Sequence, residues 1–148
     1  MNKILFSSNK MDWTTPKDFF EKLNREFNFT LDPCASKENA LCKKFYTVQE
    51  NGLLQNWGGE RVFCNPPYGR KIGEWVKKCY EESLKPNTTI VLLIPNRSDT
   101  KWYHEYIHGK ARVEPVKGRL KFGNSKNSAP FPSIWVVFGE KLIYKEKK

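Results

Sequence analysis

Apolar residues follow two different periods along the chain, and these periods predict helices alternating with strands. Phe19, Phe20, Leu23 and Phe27 recur at helical spacing, which predicts an amphipathic helix of about three turns. Two further helices are predicted at residues 72–82 and 99–107, the first with Lys77, Lys78, Glu81 and Glu82 facing outward. Strand-like runs cover residues 27–31, 43–48, 62–64, 88–94, 111–116 and 133–138.

The order of these runs favours a single three-layer α/β domain with a mostly parallel central sheet. Residues 88–94 are continuously apolar, as a strand buried on both faces of a parallel sheet is. The last two runs leave little room for a crossover between them, so they are expected to form an antiparallel hairpin at one edge. Residues 1–148 are interpreted as one compact domain, with 142–144 as a short edge strand and 139–148 partly as a basic solvated tail.

Three loops follow predicted parallel strands, at residues 32–36, 65–68 and 95–97. Right-handed crossovers bring such loops to one rim of a parallel sheet, where α/β proteins bind their ligands. Thr15 and Pro16, interpreted as an N-cap and a first-turn proline, begin the helix that closes over this rim. Asp32 either contacts a ligand there or caps a short helix begun at residues 35–41, and both interpretations stay open.

The stretch Asn65-Pro66-Pro67-Tyr68 ends the strand at residues 62–64 abruptly. Neither proline has an N–H to donate to a neighbouring strand, so a stiff turn is expected. This turn presents a carboxamide, two backbone carbonyls and an aromatic ring. Two acceptors can hold an exocyclic amino group, and a tyrosine face can stack on the ring that carries it. The turn therefore suits a flat, amino-bearing substrate.

Composition narrows the class of protein. A hydrophobic content of 39% indicates a folded chain, and no apolar run approaches the roughly 20 residues of a membrane span. The amino-terminal residues lack the pattern of a signal peptide, so a cytoplasmic protein without a membrane partner is expected. The four cysteines and two histidines lack the spacing of zinc ligands, so free thiols and no metal are expected.

The net charge indicates a polyanionic partner. The formal charge is +10, and residues 101–148 carry 11 Lys and Arg against 4 Asp and Glu. Such an excess is the usual footprint of a nucleic acid partner, although it also serves solubility.

Asn-Pro-Pro-Tyr after a hydrophobic strand resembles the catalytic motif of S-adenosylmethionine-dependent amino methyltransferases. Nearly the whole chain, in order, resembles the phage- and prophage-type DNA N6-adenine methyltransferase (Dam-like) family. The matching stretches are Trp13-x-Thr15-Pro16, Glu26-Phe-x-Phe29, Leu31-Asp-x-Cys-Ala35, Gly52-Leu53, Trp57, Phe63-x-Asn-Pro-Pro-Tyr68, Pro95-x-Arg97, Gly118-Arg-Leu-Lys-Phe122 and Ala129-Pro-Phe-Pro132. One departure is Ala35-Ser36-Lys37, which stands where many amino methyltransferases have a glycine-rich turn.

The resemblance implies a Rossmann-like methyltransferase fold, S-adenosylmethionine as cofactor and double-stranded DNA as partner, in a bacterial or phage-infected cell. Asn65 and the carbonyl of Pro66 would accept hydrogen bonds from the adenine N6 amino group, and Pro67 would fix the turn. Tyr68 would stack on a base flipped out of the duplex. The residues expected near the cofactor are Trp13, Thr15, Pro16, Asp32, Pro33 and Ala35. Glu50 is a candidate for the ribose hydroxyls, or else a plain turn acid.

DNA contacts are expected where cations and polar loops coincide. The candidates are Arg70 and Lys71 after the catalytic turn, and Lys117, Arg119, Lys121 and Lys126 nearer the carboxyl end. Each is equally interpretable as an exposed surface charge.

Two alternatives to adenine methylation stay open. Asn-Pro-Pro-Tyr also serves enzymes that methylate a glutamine side chain or a guanine amino group in RNA, because these acceptors present similar donors. A non-catalytic nucleic-acid-binding module would share the basic carboxyl-terminal region.

Overall fold

The computed structural model describes residues 13–123 and 125–140, which contain a six-stranded sheet with helices on both faces. The predicted edge strand at 142–144 and most of the predicted tail lie outside these residues. The strands are β1 (Leu31–Asp32), β2 (Lys44–Phe45), β3 (Arg61–Cys64), β4 (Thr89–Pro95), β5 (Arg112–Pro115) and β6 (Ser133–Phe138). The helices are α1 (Lys17–Phe27) and α2 (Ile72–Ser83), with a 3-10 turn at Gly52–Leu54 and a π-helical turn at Tyr103–Ile107.

The strand order in the sheet is β2-β1-β3-β4-β6-β5. Strands β1 to β4 are parallel to one another, whereas β6 runs antiparallel between β4 and β5. The predicted mixed sheet with a hairpin at one edge is confirmed. The chain order reverses direction across the sheet between β1 and β3, and such a switch point is where open α/β sheets bind ligands.

Alternating residues of β4 explain why the sheet is covered on both faces. Ile90, Leu92 and Ile94 belong to the core under α2 and the π-helical turn. Val91 and Leu93 belong to the core under α1, which contributes Phe20 and Leu23, and they share this core with Phe122 and Ala129. The continuous apolar run at 88–94 is thus a strand buried on both faces, as its pattern predicts.

The predicted strand at residues 27–31 is wrong over most of its length. Helix α1 continues through Phe27, and Asn28 ends it in the left-handed conformation with φ 57°. Asparagine tolerates this conformation better than most residues do, because its short polar side chain bonds locally. Only Leu31–Asp32 then pairs as a strand. The sequence at 27–31 alternates, but its two phenylalanines, Phe27 and Phe29, stack on each other with ring centroids 5.6 Å apart.

Three further predictions of local structure need correction. Thr15 does not cap α1, because Pro16 is the cap residue and no side chain bonds the first turn. Residues 35–41 form turns and bends instead of a short helix. Glu82 is buried instead of facing outward.

No helix within residues 13–123 and 125–140 is long and apolar enough to cross a membrane.

Candidate active site

The loops that follow β1, β3 and β4 meet at the carboxyl-terminal rim of the sheet, beside the switch point. Residues 13–16 lie against this rim, because the Asn65 side chain bonds both Trp13 and Thr15. The sequence predicts this meeting of loops, and the parallel pairing of β1, β3 and β4 produces it.

The Asn65 carboxamide is held by three hydrogen bonds. Its Nδ2 donates to the backbone oxygen of Trp13 at 2.8 Å and to Oγ1 of Thr15 at 2.9 Å. Its Oδ1 accepts from the hydroxyl of Tyr68 at 2.7 Å. A backbone carbonyl can only accept a hydrogen bond, so the amide nitrogen has to face Trp13. The orientation of the carboxamide is therefore fixed, and Oδ1 keeps a second lone pair for another donor.

Tyr68 belongs to an aromatic cluster formed with Trp13, Phe122 and Phe131. The Tyr68 ring centroid lies 5.9 Å from that of Trp13, 6.2 Å from Phe122 and 5.8 Å from Phe131. The Tyr68 hydroxyl also lies 3.3 Å from the backbone oxygen of Leu93. Burial raises the pKa of Tyr68 above its ordinary value, so the phenol stays a neutral donor to Asn65. Stacking of Tyr68 on a target base stays a prediction.

A pocket of about 240 Å³ opens beside the Asn65–Tyr68 turn, at the ends of β1, β2 and β3. Its lining residues are Pro33, Cys34, Ala35, Thr47, Val48, Asn51, Gly52, Leu53, Pro67, Lys71 and Trp75. Of the predicted cofactor residues, Pro33 and Ala35 line the pocket. Trp13, Thr15, Pro16, Asp32 and Glu50 do not. Lys71, predicted as a DNA contact, and Pro67 of the turn also line it.

Gly52 lets two walls of this pocket come together. A Cβ atom at this position would lie 2.1 Å from the backbone oxygen of Pro33 and 3.1 Å from the Trp75 ring. The Trp57 indole N–H donates to the Gly52 carbonyl at 3.0 Å, which fixes the Gly52–Leu54 turn. Gly52, part of a stretch that resembles the Dam-like family, is therefore needed for the close approach of backbone to backbone.

Asp32 holds a loop that lines the pocket, although its own side chain does not line it. Its carboxylate accepts hydrogen bonds from the backbone N–H of Cys34 at 3.3 Å and of Leu41 at 3.1 Å. Burial raises the pKa of Asp32 to about 6, and these two hydrogen bonds oppose the rise without cancelling it. The carboxylate therefore ties a loop that carries pocket residues, instead of capping a helix at 35–41.

Asp32→Asn is expected to change how stability depends on pH. The folded protein holds the pKa of Asp32 near 6 instead of 3.8, so folding favours the protonated side chain. The stability that this protonated side chain contributes is fully present below pH 3.8 and is lost as the pH rises through 6. The loss amounts to about 3 kcal/mol. Urea unfolding of the wild type and the variant from about pH 4 to about pH 7 isolates this loss as the difference between the two curves. A difference that does not change with pH would contradict the assignment.

The Glu50 carboxylate turns towards its own loop. It accepts from the backbone N–H and the hydroxyl of Thr47, both at 2.7 Å. These hydrogen bonds hold the pKa of Glu50 below its ordinary value. This geometry fits the turn-acid interpretation, whereas a role towards ribose stays a prediction.

The six predicted DNA contacts are all exposed cations, and none forms an ion pair within the described part of the chain. They are Arg70, Lys71, Lys117, Arg119, Lys121 and Lys126. Two of the segments that carry them lie near the rim: residues 70–71 follow the Asn65–Tyr68 turn, and residues 117–123 include Phe122 of the aromatic cluster. Their charge is available to a polyanion, and their contacts with DNA stay predictions.

Two partly buried cysteines, Cys34 and Cys42, have thiols with raised pKa values, and Cys34 also lines the pocket. Burial and the neighbouring charge of Asp32 raise the pKa of Cys34 to about 12, and the same two causes raise that of Cys42 to about 12. Both therefore stay protonated thiols at neutral pH. Within residues 13–123 and 125–140, no group of three Cys, His, Asp or Glu side chains is arranged to hold a metal ion.

A fixed amide acceptor, an aromatic cluster and an adjoining pocket lie together at a switch point of the sheet, which is where open α/β proteins bind ligands. Residues 4–136 match the family described as DNA N-6-adenine-methyltransferase (Dam), and the chain belongs to this family. The predicted class, an adenine-specific DNA methyltransferase of a phage Dam-like family, is confirmed. Such an enzyme uses a methyl donor and acts on DNA.

Two curated relatives carry the same family name. The DNA N-6-adenine-methyltransferase of Haemophilus phage HP1 (strain HP1c1) is 30% identical over 145 residues, which cover 93% of this chain and 83% of the phage protein. That of Escherichia phage T1 is 35% identical over 110 residues, which cover 73% of this chain and 45% of the phage protein. The chain thus spans most of one relative and less than half of the other.

Proposed function

We propose that this chain transfers a methyl group from S-adenosylmethionine to the N6 amino group of adenine in double-stranded DNA. Asn65 is the principal residue that accepts a hydrogen bond from this amino group. The observation that carries the proposal is the fixed Asn65 carboxamide beside a pocket of about 240 Å³. The parallel strands with one antiparallel strand near the edge support a Rossmann-like methyltransferase fold.

The pocket residues fit the proposed cofactor. Val48, Leu53 and Trp75 offer apolar surfaces to a flat base, and Thr47 and Asn51 offer polar groups to ribose hydroxyls. The small side chain of Ala35 leaves room for the ligand near the backbone. When bound, S-adenosylmethionine supplies a methyl group on a sulfonium, which is a strong electrophile with a good leaving group.

The chain's own contribution is positioning and electrostatics. Asn65 Oδ1 and the Pro66 carbonyl would each accept a hydrogen bond from one of the two N6–H groups of adenine. The Tyr68 hydroxyl donates to the other lone pair of Oδ1. Two acceptors draw the amino group out of conjugation with the ring, so the nitrogen lone pair becomes available for attack. Because the electrophile is strong, the step needs no strong base before attack, and orientation lowers the barrier. The methylated N6 would carry the positive charge lost by the sulfonium, and it would then release one of its two protons to water.

The target adenine has to leave the duplex to reach Asn65. The aromatic cluster around Tyr68 offers ring surfaces next to the carboxamide, which would replace the lost base stacking. Phe131 and Trp13 are half-buried, so part of the cluster is open to solvent.

The direct test uses purified protein and S-adenosylmethionine carrying a labelled methyl group. Label is expected in unmodified double-stranded DNA, as N6-methyladenine after digestion, and methylation-sensitive sequencing would then give the recognition sequence. Label only in RNA or in a glutamine-bearing protein would overturn the proposal. DNA binding without a thermal shift by S-adenosylmethionine would favour a non-catalytic binding module.

Replacing Arg119 and Lys121 together with alanine is expected to weaken DNA binding without changing cofactor affinity. Each lost phosphate contact reduces the salt dependence of log affinity by about one. Binding isotherms at several salt concentrations measure this slope for the wild type and the variant. Lys77→Ala is the control, because Lys77 is equally exposed but lies on the outer side of α2. A slope equal to that of the wild type would remove these two residues from the interface.

A further inference from the structure

The side chain of Thr15 is buried against the catalytic amide. It is 7% exposed, and its Oγ1 lies 2.9 Å from Nδ2 of Asn65. The sequence predicts two roles for this residue, capping α1 and contacting the cofactor. It does not cap the helix, and it does not line the pocket. Its hydroxyl therefore serves Asn65, which is 50 positions away in the chain.

The segment that carries Thr15 is anchored on both sides. The carbonyl of Thr14 accepts the backbone N–H of Gly123 at 2.9 Å, and that of Pro16 accepts the N–H of Phe20 at 3.1 Å. The Trp13 ring packs on Phe122 and Phe131 at centroid distances of 5.4 and 5.3 Å. Because the segment is anchored so well, the acceptors it offers constrain the Asn65 side chain that donates to them.

The orientation of the Asn65 carboxamide decides whether it can hold an amine. Rotated by half a turn, it would present NH2 instead of oxygen to the substrate amino group, and two sets of donors would face each other. The Trp13 carbonyl accepts only, so it selects the orientation with Nδ2 inward. The second N–H of Nδ2 needs its own acceptor, and the Thr15 hydroxyl oxygen provides it.

We propose that Thr15 is a positioning residue for amine methylation, which holds Nδ2 of Asn65 so that Oδ1 faces the target amine. The inference rests on the proposed function, because it concerns the hydrogen bond that holds Asn65, the residue proposed to bind the adenine amino group. Thr15 is thereby assigned to the part of the site around Asn65, instead of to the cofactor pocket.

The test is Thr15→Val, which keeps the branched shape and removes the acceptor. We expect kcat to fall about 10- to 100-fold, because a carboxamide that keeps only one of its two Nδ2 acceptors is held less firmly and spends less time in the reactive orientation. The dissociation constant for S-adenosylmethionine and the KM for DNA are expected to stay at the wild-type values. Thr15→Ser, which restores the oxygen, is expected to recover most of kcat, and a purely packing role would not give this recovery.

Thr88→Val is the matched control. Thr88 is also buried, at 3% exposure, and its hydroxyl accepts the N–H of Gly59 at 2.8 Å, but it precedes β4 at the opposite end of the sheet. It is expected to lose stability and keep kcat. If Thr15→Val folds poorly, Thr15→Ala removes the same oxygen without adding a methyl group.

Wild-type kcat in Thr15→Val or Thr15→Ala would overturn the inference. So would a loss of activity that appears as weaker S-adenosylmethionine binding, since that assigns Thr15 to the cofactor. A wild-type enzyme that leaves adenine unmethylated would instead overturn the proposed function, so the two failures are distinguishable.

Discussion

Asn65→Ala is expected to lower kcat by about 10³-fold or more, while the protein keeps its fold and its affinity for S-adenosylmethionine. The variant removes the acceptor that faces the amine, and it leaves the Tyr68 hydroxyl and the Trp13 carbonyl without their shared partner. The pocket is lined by other residues, so cofactor binding should be unaffected. Single-turnover methylation of DNA and calorimetric titration with the cofactor measure the two quantities separately.

Asn56→Ala is the control for this experiment. The Asn56 carboxamide is also hydrogen-bonded, to the N–H of Gly58 at 2.9 Å and to Lys85 at 2.7 Å, but it lies near the far end of α2. The control variant should methylate DNA at the wild-type rate. Near-normal turnover by Asn65→Ala would mean that the Pro66 carbonyl alone suffices to hold the amine, and the mechanism proposed above would fail.

The elements that the sequence predicts well are those with a strong local pattern. Strand β4 is continuously apolar, α2 has a regular apolar stripe, and the Asn65–Tyr68 turn contains two prolines that cannot continue a strand. In each case the local preference and the tertiary environment agree. Family resemblance then supplied the chemistry that the turn alone left open between several amines.

The elements that the sequence predicts poorly depend on partners far along the chain. The Thr15 hydroxyl looks like a helix cap until Asn65 is brought beside it. Glu82 has the periodicity of an exposed position, yet it accepts the Trp57 N–H at 2.6 Å and pairs with Lys85 at 2.8 Å. Although burial alone would raise the pKa of Glu82, these hydrogen bonds outweigh burial and lower it. Helical periodicity shows which face is apolar, but it does not show that the buried Glu82 carboxylate accepts the backbone N–H of Trp57, which is 25 positions away.

The cofactor half of the site shows the same limit. Pro33 and Ala35 were predicted because they follow a strand, whereas Thr47, Asn51 and Gly52 come from a connection without a strong pattern. Asn51 has a positive φ of 58°, and its side chain accepts the N–H of Leu53 at 3.1 Å, which begins the turn at Gly52. The close approach of Gly52 to Pro33 places this turn in the wall of the pocket.

Gly52→Ala is expected to weaken S-adenosylmethionine binding about tenfold or more and to lower the free energy of unfolding by about 1–3 kcal/mol. The added Cβ would lie 2.1 Å from the Pro33 oxygen, which is far inside contact distance. Relief requires the Pro33 loop or the Gly52–Leu54 turn to move, because the Trp57 indole holds the Gly52 carbonyl. Both segments line the pocket, so either movement changes its shape. Calorimetric titration and urea unfolding measure the two effects.

Gly58→Ala distinguishes this effect from a general loss of glycine. There the added Cβ would meet only the Asn56 and Lys85 side chains at 3.1 Å, and flexible side chains move at little cost. Wild-type cofactor affinity in Gly52→Ala would show that the pocket beside Gly52 is not where the cofactor binds. Because Asn65 is held by Trp13, Thr15 and Tyr68, none of which lines that pocket, Gly52→Ala with saturating cofactor should methylate at close to the wild-type rate. If Gly52→Ala impairs only cofactor binding and Asn65→Ala impairs only turnover, the cofactor pocket and the Asn65 side chain act separately.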